Sequence, residues 1–121
     1  MKFFLLVGLG GCIGSILRAG VGQLFAGFGW STILVNLLGA FMIGFLGKYA
    51  EGFSAPDLFK AFWMIGICGG FTTFSAFGME LFEWLANGRW RIAILYAATN
   101  VLGTLLFVFL GYRFGSCLNS G

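Results

Sequence analysis

Charge is confined to a few short places in this chain, and that pattern constrains its fold more than anything else. No charged residue lies between Phe3 and Leu17, Ala19 and Gly47, Ala61 and Met79, or Ile92 and Tyr112. Between these stretches stand Arg18, then Lys48, Glu51, Asp57 and Lys60, then Glu80, Glu83, Arg89 and Arg91, and after the last of them Arg113. An apolar run of about 20 residues crosses a bilayer as a helix. In hydrocarbon the backbone polar groups must pair internally, which leaves only helices and closed barrels as spanning structures. The pattern predicts helices over roughly 3–24, 30–50, 60–85 and 91–114, hence an all-α membrane protein with four transmembrane helices.

Composition agrees. The chain is 60% hydrophobic and 9% charged, with a mean hydropathy of +0.98, whereas soluble domains carry about 25% charged residues. Residues 1–121 are read as a single four-helix transmembrane domain, with nothing outside the spans for a soluble one. Lys2 precedes an apolar run, but no small-residue cleavage site ahead of a soluble domain follows, so no cleaved signal peptide is expected. A net charge of +3, scattered over the chain, is no nucleic-acid surface. Glycine, at 21 of 121 residues, is more than twice its usual share of ~7% and implies closely packed helices. Cys12, Cys68 and Cys117 lack metal-ligand spacing and there is no histidine; Cys12 and Cys68 read as small apolar fillers. Pro56 marks the loop before the third span, which Ser54 or Asp57 is placed to cap.

The third segment is unusual. Gly66-Ile67-Cys68-Gly69-Gly70-Phe71-Thr72-Thr73-Phe74-Ser75-Ala76-Phe77 puts adjacent glycines and three hydroxyl residues where a plain lipid-facing helix would avoid them. The expectation is a helix broken near its middle. Backbone groups freed by the break must face protein or a cavity, and broken membrane helices are where transporters and channels build ion sites.

Two of the other spans carry polar stripes. Thr32 and Asn36, four residues apart on the second, share a face. Tyr96, Asn100 and Thr104 repeat that spacing on the fourth. Each stripe serves either as interhelical hydrogen bonding or as the lining of a polar track. Phe74 and Phe77 are face neighbours on the third span; they read as packing, or as electropositive ring edges turned toward a small anion. Arg18 reads as snorkelling to the interface or drawing anions toward a vestibule. Glu80 and Glu83 read as interfacial and solvated, too late in the span to carry protons at the midplane.

Four spans put both termini on one side, with Lys2, Lys48, Lys60 and Arg113; Arg18, Arg89 and Arg91 share the other. Orientation follows a clear excess of Lys and Arg on the cytoplasmic side, and four against three is hardly an excess. Such a chain admits insertion in both orientations and pairing as an antiparallel homodimer. A single orientation set by loop context is the alternative.

Three motifs in order resemble those of the Fluc (CrcB) family of small fluoride channels. They are Gly10-Gly11-x-x-Gly14-Ser15-x-x-Arg18 on the first span, Thr32-x-x-Val35-Asn36-x-x-Gly39-x-Phe41-x-x-Gly44 on the second, and Gly66-x-Cys68-Gly69-Gly70-x-Thr72-Thr73-Phe74-Ser75-x-Phe77 on the third. The resemblance covers essentially the whole chain and implies a dual-topology antiparallel homodimer with two pores in a bacterial inner membrane. It implies a buried structural Na⁺ held by the backbone carbonyls of Gly69 and Thr72 from each copy. It further implies Phe74 and Phe77 as pore phenylalanines, Asn36 as the pore asparagine, and a fourth-helix track in which Tyr96 and Thr104 fit. Asn100 stands where the family has a hydroxyl residue, and Ala76 where a threonine is common. The implied activity is passive passage of F⁻ down its electrochemical gradient. Donors for so strongly hydrated an ion would be Asn36, Ser75, Thr32, Tyr96, Asn100, Thr104 and the ring edges.

Rival readings are a small multidrug-type antiporter, which needs a membrane carboxylate that the first span lacks, and a membrane assembly subunit whose stripes bind a partner helix. No nucleophile, base or metal pattern suggests an enzyme.

Overall fold

The computed structural model describes residues 1–26 and 30–120. Among these, all regular structure is helical, and four spans are long and apolar enough to cross a membrane. The first two are α1 (Lys2–Leu24) and α2 (Ser31–Ala50). The third, Asp57–Ala86, comes in pieces: α3 (Asp57–Lys60), a π-helical stretch (Ala61–Cys68), a single turn α4 (Gly69–Phe71) and α5 (Phe74–Ala86). The fourth is α6 (Trp90–Ser120).

The break falls between α4 and α5, at Thr72 (φ −86°, ψ 157°) and Thr73 (φ −148°, ψ 123°), both extended. This is the interruption that the glycine and threonine pairs predict. Two features differ from expectation. The third span is π-helical before the break, with Gly69 N–H donating back to the Met64 carbonyl. Neither Ser54 nor Asp57 caps the span by its side chain: Pro56 is the N-cap residue, and its carbonyl accepts from Lys60 N–H at 2.8 Å. Asp57 instead sits inside the first turn, where a negative charge still suits the helix dipole.

Glycines decide which helices touch. α1 lies against the π-helical stretch and α4, while α2 pairs along its length with α6. The carbonyls of Phe62 and Ile67 occupy the places where side chains of Gly10 and Gly14 would begin. Val108 O does the same at Gly44, and Phe41 O at Gly111. Such backbone-to-backbone approach is how membrane helices associate where no hydrophobic drive separates helix from lipid. Cys68 is buried as a filler, whereas Cys12 lies on an exposed face.

α6 continues past 114, where the charge at Arg113 suggested its end, because α2 holds it. Phe114 packs its ring 6.0 Å from Phe41 and 5.5 Å from Phe45. Asn119 Nδ2 donates to the Lys48 carbonyl at 2.9 Å, and Lys48 Nζ lies 5.2 Å over the Tyr112 ring. At the opposite end Trp30 sits 6.5 Å from Trp84 and 5.9 Å from Tyr96. Tyr96 also joins Ile33 and Phe77 in a small core, against which Leu37, Leu81 and Trp84 pack. Large apolar side chains such as Phe4, Ile16, Leu102 and Leu105 are exposed on the outer faces, as a chain in lipid requires.

Candidate functional site

A break in a membrane helix frees backbone donors and acceptors, and the site is best read by finding where each one goes. Thr73 N–H would close the next helical turn onto Gly69 O. It donates instead to Asn36 Oδ1 on α2, at 2.8 Å. Thr73 O accepts from Asn36 Nδ2 at 3.1 Å, so the asparagine amide pairs with the extended residue as a neighbouring strand would. Ala76 N–H, the natural partner of Thr72 O, goes to Thr73 Oγ1 at 3.1 Å, which makes Thr73 the N-cap of α5. Ser75 Oγ lies 3.3 Å from the same hydroxyl. On the α4 side, Cys68 O accepts from Thr72 N–H and from the Thr72 hydroxyl, each at 3.0 Å. Gly70 O accepts from Arg18 Nε at 3.0 Å. Two diversions therefore leave the carbonyls of Gly69 and Thr72 without their helical donors.

Both residues border a half-open groove of about 490 Å³, which Asn36, Phe74, Asn100 and Thr104 also line. Carbonyl oxygens of this kind are ligands for hard cations. A smaller cavity of about 210 Å³, lined by Arg18, Ser31, Thr32 and Ala76, lies on the other side of the break. Thr73 borders both, so the Asn36–Thr73 pair stands between them. Arg18 neither simply snorkels nor stands free. It ties α1 to the broken helix and lines the smaller cavity.

The two phenylalanines differ sharply. Their rings are 5.6 Å apart, but Phe74 is 81% exposed and Phe77 only 6%. Phe77 stacks on Tyr96 at 5.4 Å and 17° between planes, which covers one ring face. Tyr96 is fully buried, with Trp84 edge-on at 4.6 Å.

Glu80 stands elsewhere than its sequence position suggests. It is half-buried rather than solvated at the interface. Thr32 Oγ1 donates to its Oε1 at 2.5 Å, and the Tyr96 hydroxyl donates to its Oε2. Thr32 and Tyr96, singled out as track donors, thus converge on this carboxylate, whereas Asn36 and Asn100 meet each other, with Asn36 Nδ2 donating to Asn100 Oδ1 at 3.2 Å. The spacing of four along α2 and α6 was visible in sequence; that Glu80 lies opposite both stripes required the packing. Thr104 is on the groove, and Ser75 is exposed beside Thr73.

The family model for the CrcB-like protein, Camphor Resistance (CrcB), matches residues 5–112. The chain belongs to the CrcB family. Relatives of this CrcB-family chain include a fluoride-specific ion channel FluC of Thermus thermophilus, 42% identical over 123 residues and covering 98% of both chains. A protein of the same name from Elusimicrobium minutum is 42% identical over 93% of both chains. Another from Rhizobium meliloti is 37% identical over 92% of this chain and 94% of its own.

Proposed function

We propose that this chain is a fluoride-selective ion channel that lets F⁻ leave the cell passively, down its electrochemical gradient. The observation that carries the reading is the near full-length similarity to relatives named fluoride-specific ion channels. HF formed in acid surroundings enters, dissociates and leaves F⁻ trapped; an open path lets the negative membrane potential expel it. Fluoride gives up its water only where protein donors replace it, and the break supplies polar groups on both of its sides. Pore and ion contacts are assigned to Asn36, Phe74, Phe77, Ser75, Thr32, Tyr96, Asn100 and Thr104, with Arg18 at the vestibule.

The working unit is an antiparallel homodimer in a bacterial inner membrane. The four-against-three charge ledger supports it, as does a polar break that opens into a groove on the outside of a single copy. The diverted donors support a structural Na⁺ held by Gly69 and Thr72 carbonyls from two copies. Such an ion would tie the broken spans together and place positive charge beside the anion route.

The test is fluoride efflux from liposomes containing the purified protein alone. Release of F⁻ far faster than Cl⁻, with no imposed proton gradient, is expected. Equal leakage of both halides overturns the reading, and an assembly subunit would pass no fluoride.

A further inference from the structure

We infer that the turn between the third and fourth spans holds the headgroup of an anionic phospholipid, clamped by Arg89 and Arg91. The spans Asp57–Ala86 and Trp90–Asn119 meet the same membrane surface on either side of this turn. α5 stops here in a shape fixed by its backbone. Gly88 takes a left-handed φ of +74°, its N–H donates to the Leu85 carbonyl at 3.1 Å, and Arg89 N–H reaches back to the Trp84 carbonyl at 2.9 Å. The next helix follows at once, with Ala93 N–H on the Arg89 carbonyl at 3.0 Å. Between them lies a half-open cavity of about 430 Å³, lined by Gly88, Arg89, Trp90, Arg91 and Ile92.

Charge says what fits this cavity. Among the described residues the one ion pair joins Lys48 to Glu51, so neither Arg89 nor Arg91 meets a carboxylate. The Arg91 guanidinium lies 5.5 Å from the centre of the Trp90 ring, an attraction that holds it without neutralising it. Two unpaired guanidiniums on one cavity suit an oxyanion, and phosphate oxygens match the planar fork of arginine two N–H groups at a time.

Position says where that phosphate comes from. Trp90 is exposed at the end of a span, the depth at which tryptophan meets lipid headgroups. Below it the apolar side chains of Phe82, Leu85, Ile94 and Leu95 are exposed along α5 and α6. A phospholipid whose headgroup fills the cavity lays its acyl chains on those faces, a contact that free phosphate lacks, and anionic lipids gather at basic segments beside a membrane. The headgroup would anchor the far end of α5, the helix that Thr73 caps at the break. In the antiparallel pair proposed above, the two copies present this turn to opposite leaflets. That consequence alone rests on the proposed function, since the site lies within one copy.

Two measurements on the full-length protein test this. In a neutral detergent, with ¹⁵N-labelled arginine, the Nε–H signals of Arg89 and Arg91 (each identified by its loss in the single Arg→Lys variant) should shift saturably with short-chain phosphatidylglycerol. Phosphatidylcholine of the same chain length and inorganic phosphate should need at least about tenfold higher concentration for the same shift. The signals of Arg18, bonded to the Gly70 carbonyl, and of Arg113, exposed toward the other surface, should stay in place. Lysine is the substitution of choice because it keeps the charge that governs insertion and gives up the fork. By native mass spectrometry, Arg89→Lys/Arg91→Lys should bind phosphatidylglycerol about tenfold or more weakly than wild type. An equal shift at Arg113 would mean general attraction to basic groups, and an equal response to inorganic phosphate a site for a soluble anion. Either outcome overturns the proposal, as does an equal response to phosphatidylcholine, no shift at Arg89 and Arg91, or wild-type binding by the folded double variant. Should that variant fail to fold, the wild-type titration decides. Should the protein pass no fluoride while Arg89 and Arg91 still respond, the channel reading falls and the lipid site stands.

Discussion

Asn36 meets Thr73 as one peptide group meets another across a sheet, accepting from its N–H at 2.8 Å and donating to its carbonyl at 3.1 Å. This side chain pairs backbone groups that the break exposes, alongside the Thr73 hydroxyl that caps α5 and Arg18 on the Gly70 carbonyl. Asn36→Ala leaves the N–H of Thr73 without its acceptor and removes the partner of Asn100. The expected loss of stability is about 2–4 kcal/mol, since each stranded buried group costs ~1–3. Thermal unfolding in detergent measures it, and fluoride flux should fall with it.

Glu80 accepts from Thr32 and Tyr96 together. Thr32→Val and Tyr96→Phe should each destabilise the protein by about 1.5–3 kcal/mol, the range for hydrogen bonds to a charged group. Because the two hydroxyls share one carboxylate, the double variant should depart from additivity by about 1 kcal/mol. Additive losses in a double-mutant cycle would mean that the hydroxyls act separately.

Phe74 and Phe77 separate pore chemistry from packing. Phe→Ile at either position keeps bulk and removes the electropositive edge, so both variants should conduct fluoride more slowly. Only Phe77→Ile should also lower stability, by about 1 kcal/mol, through the lost ring pair with Tyr96. Phe74 is exposed in the single copy and its replacement leaves that fold intact. Wild-type flux in both variants would reduce the rings to packing.

Orientation is open to direct manipulation. Two or three lysines near Gly52 should hold that loop in the cytoplasm, and basic residues near Asn87 should bias insertion the other way. Either variant alone should fail to protect cells from fluoride, and co-expression of the two should restore resistance. Full protection by one variant would exclude the antiparallel pair.

Much of this was legible in the sequence, because charge and backbone propensity act locally. Four charge-free segments determined four helices, since lipid leaves an uncharged apolar run no other form. The pairs Gly69-Gly70 and Thr72-Thr73 placed the break, and spacings of four placed Thr32 beside Asn36 and Tyr96 below Asn100 and Thr104 on common faces. What those faces meet was decided by packing alone. The bonds that define the site join residues 37 to 64 positions apart, so no local pattern encodes them. Glu80, with no distinguishing neighbour in sequence, becomes a shared acceptor because α2 and α6 bring two hydroxyls to it. The π-helical stretch lies against two glycines of α1, and the end of α6 is held by Lys48 and Phe45. Asn36, locked to the backbone of a broken helix, meets Asn100 of α6 only because α2 and α6 pack side by side.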